Sequence, residues 1–167
     1  MTNSKFEIRA QHEEDAPAVE SLLDQAFGPG RRQKAAYRLR ETGAVVEGLT
    51  FAAVVDDWLV GTIEFWPVVI GDVAALLLGP LAVSRDFSGH KCGIDLMQHG
   101  LRIAREMGYK LVILVGDEDY YGKVGFAKIP MGQVTMPGPV DPERLLYCEL
   151  APGAFDGVQG QVEPAEV

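Results

Sequence analysis

Leu76-Leu77-Leu78-Gly79-Pro80-Leu81-Ala82-Val83-Ser84 is the stretch on which the fold turns. It reads as an apolar strand with a glycine and a proline set in its middle. Proline has no N–H to give a neighbouring strand, so the ladder loses a bond there and the strand bends or bulges. A bulge in mid-sheet splays the strands beside it. It also leaves backbone donors and acceptors near Leu81, Ala82 and Val83 free for an extended ligand. Directly afterwards residues 84–90 form a polar loop, and a long helix opens at Cys92. A helix start carries unpaired N–H groups and roughly half a positive charge, which makes it a ready anion site. From this segment alone, a kinked strand with an ordinary connection stands as the open alternative.

Upstream, residues 50–55, 58–69 and 73–83 read as three strands joined by tight turns at Asp56-Asp57 and Gly71-Asp72, an antiparallel meander. In the second of these, Leu59, Gly61, Ile63 and Phe65 alternate with Val60, Thr62, Glu64 and Trp66, which predicts two faces. Downstream, Leu96, Met97, Gly100, Leu101, Ile103, Ala104 and Met107 form the apolar stripe of a helix over 92–107, stopped by Gly108. Residues 110–115 are a continuous apolar strand, as expected for one covered on both faces. Strand, helix, strand in that order predicts a right-handed parallel crossover.

Nearer the start, residues 6–10 read as a strand. Residues 15–27 read as a helix with Val19, Leu22, Leu23, Ala26 and Phe27 on one face and Pro17 in its first turn. Residues 31–41 are a second helix candidate with five bases, Arg31, Arg32, Lys34, Arg38 and Arg40. They make either a solvated face or a basic patch beside a substrate. A short helix over 119–124 and strands over 126–129 and 144–150 follow, with a proline-containing loop between the strands. Residues 1–150 are read as a single domain. Residues 151–167, with three acids and no base, are expected to form a loose tail.

The 167 residues are 47% hydrophobic and 23% charged, enough apolar content for a packed core. Acids outnumber bases by 24 to 15, for a net charge of −9. That argues against nucleic acid as a partner, which calls for a basic surface. An anionic small molecule would need a local positive site. Gly71-Asp72 and Gly79-Pro80 break the apolar stretches short of the roughly 20 residues of a membrane helix, so no membrane partner is expected. Residues 1–9 are polar and show no signal-peptide pattern. Together with two cysteines, Cys92 and Cys148, read as free thiols, this predicts a cytoplasmic protein. His12, His90, His99, Cys92 and Cys148 show no metal-ligand spacing, so no metal is expected. Cys92, near a helix start, reads as a thiol of lowered pKa or as a small residue filling the start of the helix.

Tyr120-Tyr121-Gly122-Lys123-Val124-Gly125-Phe126 follows the apolar strand through Gly116-Asp117-Glu118-Asp119. A bulged strand ending in Leu-Ala-Val, a loop into a helix, a parallel strand, then Tyr-Tyr-x-x-x-Gly-Phe resembles the GNAT superfamily of N-acetyltransferases. Within it, the resemblance is to the bacterial branch called YhbS-like. Ala26-Phe27-Gly28, Ala36-Tyr37-Arg38-Leu39-Arg40-Glu41, Val115-Gly116-Asp117 and Pro137-Gly138-Pro139-Val140 carry the branch-like features. The resemblance implies an α/β fold of mixed α+β type, a splayed mixed sheet flanked by helices. It implies acetyl-CoA as cosubstrate, lying in the splay, with its pantetheine paired like an extra strand to Leu81, Ala82 and Val83. Its pyrophosphate would rest on Ser88-Gly89-His90-Lys91-Cys92-Gly93.

The family loop reads Gln/Arg-x-x-Gly-x-Gly/Ala. Here Ser88 replaces the long polar residue, Lys91 stands where glycine lets the backbone approach phosphate, and Asp95 adds a negative charge in the first helical turn. Two readings stay open. Lys91, with Arg85 and His90, replaces lost backbone contacts by charge pairing, or its side chain obstructs the loop.

By the same resemblance Tyr121 is the general acid, supplying the proton for a leaving thiolate of pKa roughly 8.5, and Tyr120 is its packed neighbour. A backbone N–H within 81–83 would face the oxyanion. Glu64 shares a face with Thr62 and Trp66 and is the candidate general base. Asp117 and Glu118 are second candidates, or caps of the short helix. The expected function is transfer of an acetyl group from acetyl-CoA to a primary amine of a small molecule or peptide. The alternative is a non-catalytic module of the same fold that binds CoA, another nucleotide or a partner protein. A homodimer through the late strands is compatible with the sequence but not required by it.

Overall fold

A computed structural model describes residues 6–28, 31, 45–87 and 91–165. Its central feature is a mixed sheet built on the predicted meander. β1 (Glu7–Ala10), β2 (Thr50–Val55), β3 (Trp58–Ile70) and β4 (Val73–Val83) pair antiparallel in sequence order. The β2–β3 turn places both Asp56 and Asp57 at positive φ, 48° and 69°, the backbone of a two-residue hairpin whose twist matches its strands. β4 then runs parallel to β5 (Leu111–Val115) across a crossover through α2 (Cys92–Glu106). β5 pairs antiparallel with β8 (Leu145–Glu149), and β8 with the short β6 (Ala127–Lys128).

The helices lie on opposite faces because their apolar stripes must be buried. α2 buries Leu96, Met97, Leu101 and Ala104 against a core that includes Ile63, Phe65, Leu78 and Leu114. It comes close enough that a side chain at Gly100 would overlap the Phe65 ring. α1 (Ala16–Phe27) buries Val19, Leu22 and Leu23 on the other face, against Ala82 and Leu59. Arg9 and the Asp15 carboxylate anchor its approach with hydrogen bonds of 2.7 and 3.0 Å. No helix among the described residues is long and apolar enough to cross a membrane. The helix expected over 31–41 lies outside the described residues, except for Arg31.

Two expectations are corrected. Leu59 and Val60 do not follow the alternation that places Ile63 and Phe65. The register slips between Ala53 and Val54, so that Ala53 faces Gly61 while Val54 faces Leu59. This turns Val60 into the α2 core and Leu59 towards α1. Residues 151–165, within the segment 151–167 expected as a loose tail, are also ordered differently. Residues 151–157 form turns, and β9 (Gly160–Pro164) pairs with β3 over Val68 to Ile70 and with β7 (Val134–Thr135). The reason is geometric. β2 stops opposite Glu64 while β3 continues to Ile70, leaving an edge for another strand to take. Three apolar residues, Phe155, Val158 and Val162, suffice to bury the crossing.

Phe155 stacks on Tyr147 at 3.9 Å between ring centroids. Phe155→Ala is therefore expected to cost about 3–5 kcal/mol in urea unfolding. A change near zero would restore the loose tail.

Candidate active site

β4 and β5 pair only at Leu76 with Val112 and Leu77 with Ile113. Beyond that point β5 stays with β8 as far as Val115, and β4 stays with β3 as far as Val83. The two strands thus part, and among the described residues β4 from Leu78 onward has no strand on its β5 side. The parting begins where β4 bulges: Phe65 faces Leu78 and Ile63 faces Leu81, so Gly79-Pro80 bulges opposite Glu64. Gly79 takes φ 132°, a conformation that suits glycine.

Which backbone groups face the gap follows from the ladder. The Ser84 N–H donates to the Val60 carbonyl at 2.7 Å. Alternate residues of an antiparallel strand turn their polar groups to the same side. Ala82 is thus directed to β3, whereas Leu81 and Val83 direct N–H and C=O into the gap. Of the three residues singled out in sequence, two turn their backbone groups into the gap, and Ala82 turns its own to β3 and packs its methyl group against α1.

The start of α2 lies at the Val83 end of this edge, where Gly93 approaches the Val83 side chain. Lys91, the N-cap residue, is exposed and has φ 61° and ψ 14°, left-handed values usually left to glycine. Its backbone thus takes a conformation that glycine adopts at no steric cost. The Asp95 N–H is satisfied by the Lys91 carbonyl at 2.9 Å, and the amides of Cys92, Gly93 and Ile94 precede it at the open end of the helix. Cys92 is buried, and burial, with the Asp95 charge second, pushes its thiol up to about 12. It is a packing residue, not an activated thiol. Ser88, Gly89 and His90 lie outside the described residues.

The two tyrosines of α3 (Glu118–Tyr121) stand on the β5 side of the gap. The Tyr121 ring lies against the Cα of Gly116 at the end of β5, where a side chain would collide with it, and edge-on to Phe126 at 6.2 Å. Burial, followed by the neighbouring Tyr120, pushes the Tyr121 hydroxyl up to about 12. Tyr120 does more than pack. Its hydroxyl reaches the Cα of Gly93, across the mouth of the gap. Nothing in the sequence signals this contact, because it depends on how α3, α2 and β4 meet in space.

On the face opposite α2, a cavity of about 440 Å³ is lined in part by Glu64, Trp66, Pro80, Thr50, Glu20 and Arg31. It backs onto the bulge through Pro80. Arg31 is held by Glu20 at 2.5 Å and Asp24 at 3.0 Å. The buried Trp66 Nε1 has no hydrogen-bond partner among the described residues. Asp117 and Glu118 are directed elsewhere, to Arg144 at 3.7 Å and Lys128 at 3.8 Å. The Asp117 carbonyl, not its side chain, receives the Tyr120 and Tyr121 amides at the start of α3.

The family model described as acetyltransferase (GNAT) family matches residues 16–129. An uncharacterized N-acetyltransferase of Escherichia coli K12, YhbS, is 30% identical over 158 residues, which cover 93% of this chain and 94% of the relative. The crystal structure of E. coli YhbS in complex with CoA superposes with a TM-score of 0.84 at 28% identity, covering 99% of this chain and 92% of that one. A GNAT family acetyltransferase from Brucella melitensis in complex with acetyl-CoA gives a TM-score of 0.64 at 25% identity, over 92% and 100% of the two chains.

The contact across the gap is open to a double-mutant cycle. Gly93→Ala is expected to cost about 1–3 kcal/mol, since the new methyl group meets the Tyr120 oxygen. In a Tyr120→Phe background most of that cost should vanish, because the next ring atom is 3.5 Å away. Equal costs in both backgrounds, read from denaturation midpoints, would contradict the contact.

Proposed function

The chain belongs to the acetyltransferase (GNAT) family, and from that premise we propose that it transfers an acetyl group from acetyl-CoA to a primary amine by direct attack in a ternary complex. The observation that carries this reading is the unpaired edge of β4, which leads from the bulge at Gly79-Pro80 to the open amides of α2. An extended amide-bearing chain fits such an edge as a strand fits a sheet. Leu81 and Val83 would pair with the pantetheine. The diphosphate would meet the first amides of α2, at Cys92 and Gly93, with Lys91 supplying a charge that glycine lacks.

Each remaining role falls to a residue at the gap or at the cavity behind it. The carbonyl oxygen, as it gains charge, would be met by an N–H of Leu81 or Val83, held in place by the bulge. Tyr121 would supply the proton that the departing thiolate takes up. Its raised pKa keeps that proton in place throughout the physiological range. The acceptor amine would enter from the cavity on the opposite face, with Glu64 as the base that accepts its proton. Two free buried cysteines suit the cytoplasm, where acetyl-CoA is at hand.

Titration calorimetry with acetyl-CoA, paired with release of free thiol over a panel of amines, tests the proposal. Wild type is expected to bind and to turn over at least one amine. Tyr121→Phe should cut turnover by about 10²- to 10⁴-fold with little change in acetyl-CoA affinity. Unchanged turnover would remove Tyr121 from the mechanism. Binding without turnover of any amine would favour a non-catalytic module, and no heat at high micromolar ligand would sink the transferase and leave only a module for another nucleotide or a partner protein.

A further inference from the structure

One side chain bridges the mouth of the gap with a polar end that the fold itself does not use. Tyr120 belongs to the β5 side, yet its hydroxyl oxygen rests on the Cα of Gly93, in the first turn of α2. Val83 Cγ2 lies 3.7 Å from the point that a Gly93 side chain would occupy, so the free end of β4 meets the same spot. The ring is fixed edge-on to Tyr121 at 5.0 Å, and Lys123 Nζ stands 5.7 Å from its centroid.

Among the described residues this hydroxyl has no hydrogen-bond partner. Packing alone would be served by phenylalanine. A phenol with no internal partner adds nothing to the fold that a phenyl ring would not supply. Burial raises its pKa, with Cys92 second, so the group is a neutral O–H donor at physiological pH. It stands beside the amides of Cys92, Gly93 and Ile94, which precede the Asp95 N–H that donates to the Lys91 carbonyl and have no partner among the described residues. Lys123 Nζ adds positive charge over the ring, and Lys91 is the N-cap residue of α2. Asp95 is the acid in that first turn. The Tyr120 hydroxyl and the first amides of α2 thus stand together at a place suited to an anion with several oxygens.

We propose that Tyr120 is a cofactor-positioning residue, whose hydroxyl donates a hydrogen bond to the diphosphate of CoA from across the gap, facing the amides of α2. This rests on the reading of the gap as an acyl-CoA site. It gives the two adjacent tyrosines separate tasks: Tyr120 holds the diphosphate, and Tyr121 serves the sulfur. It also offsets the departures at Ser88 and Lys91 with a donor from outside the loop.

The test is calorimetry on the full chain, wild type and Tyr120→Phe, with CoA and with adenosine 3′-phosphate 5′-diphosphate, which keeps the diphosphate and lacks the pantetheine. Loss of a hydrogen bond to a charged group is expected to weaken both ligands by about 10- to 100-fold. The melting temperature of the ligand-free protein should hold, because the hydroxyl has no internal partner to lose. KM for acetyl-CoA should rise while kcat stays. Equal affinities of the two proteins for CoA would overturn the inference and leave the acyl-CoA reading standing. So would a loss seen with CoA but not with the diphosphate fragment, which would move the contact to the pantetheine arm. A wild type that does not bind CoA would remove the site and this inference with it.

Discussion

The structure depends on a parallel ladder that stops early. β4 and β5 are held together at Leu76 and Leu77, then part as β4 bulges at Gly79-Pro80. A proline has no N–H to offer, and a bulge redirects the groups that follow it. Buried backbone groups left without partners are costly, so an edge like that from Leu78 to Val83 persists where water or a ligand can complete it. Everything assigned to the site is arranged around this opening: α2 begins at one end of it, α3 crosses from the other side, and the cavity lies behind the bulge.

The pattern of charge is local, not global. The chain carries a net charge of −9, which would repel a polyanion at long range. At the mouth of the gap the first amides of α2, the Tyr120 hydroxyl and Lys123 lie close together, although Asp95 shares that turn of α2. Short-range, oriented donors can hold a diphosphate on an acidic protein because their contribution falls off within a few ångströms and does not depend on the overall sign. The opposite face is built differently. There Arg31 is held by two carboxylates and Glu64 and Trp66 share a cavity, a setting for an acceptor and for the movement of its proton.

Much of the fold was legible because its signals are local. Two-residue turns at Asp56-Asp57 and Gly71-Asp72 announce the meander, the stripe from Leu96 to Met107 announces α2, and Gly79-Pro80 announces the bulge. What escaped sequence reading depends on partners distant in the chain. The slip at Ala53 and Val54 leaves Val60 unpaired with β2 beside Gly61, and a lone glycine in an otherwise regular alternation did not reveal the reversal of Leu59 and Val60. β9 carries little apolar content, and its place is set by the edge that β2 leaves open on β3. The gap could be anticipated, but not the split between Leu81 and Val83 on one side and Ala82 on the other, which needs the register. Nor could the reach of Tyr120 to Gly93 be read, since it requires three elements to meet at a point.

The central claim is that the β4 edge awaits a strand-like ligand, and amide hydrogen exchange read residue by residue by NMR tests it most directly. Without ligand, the Ala82 amide should exchange slowly, being bonded to β3, while those of Leu81 and Val83 exchange faster. With saturating CoA, one or both of the Leu81 and Val83 amides should slow by at least about tenfold, and Ala82 should not change. Leu81 and Val83 amides that are already as protected as Ala82, or that ignore CoA at saturation, would contradict the account.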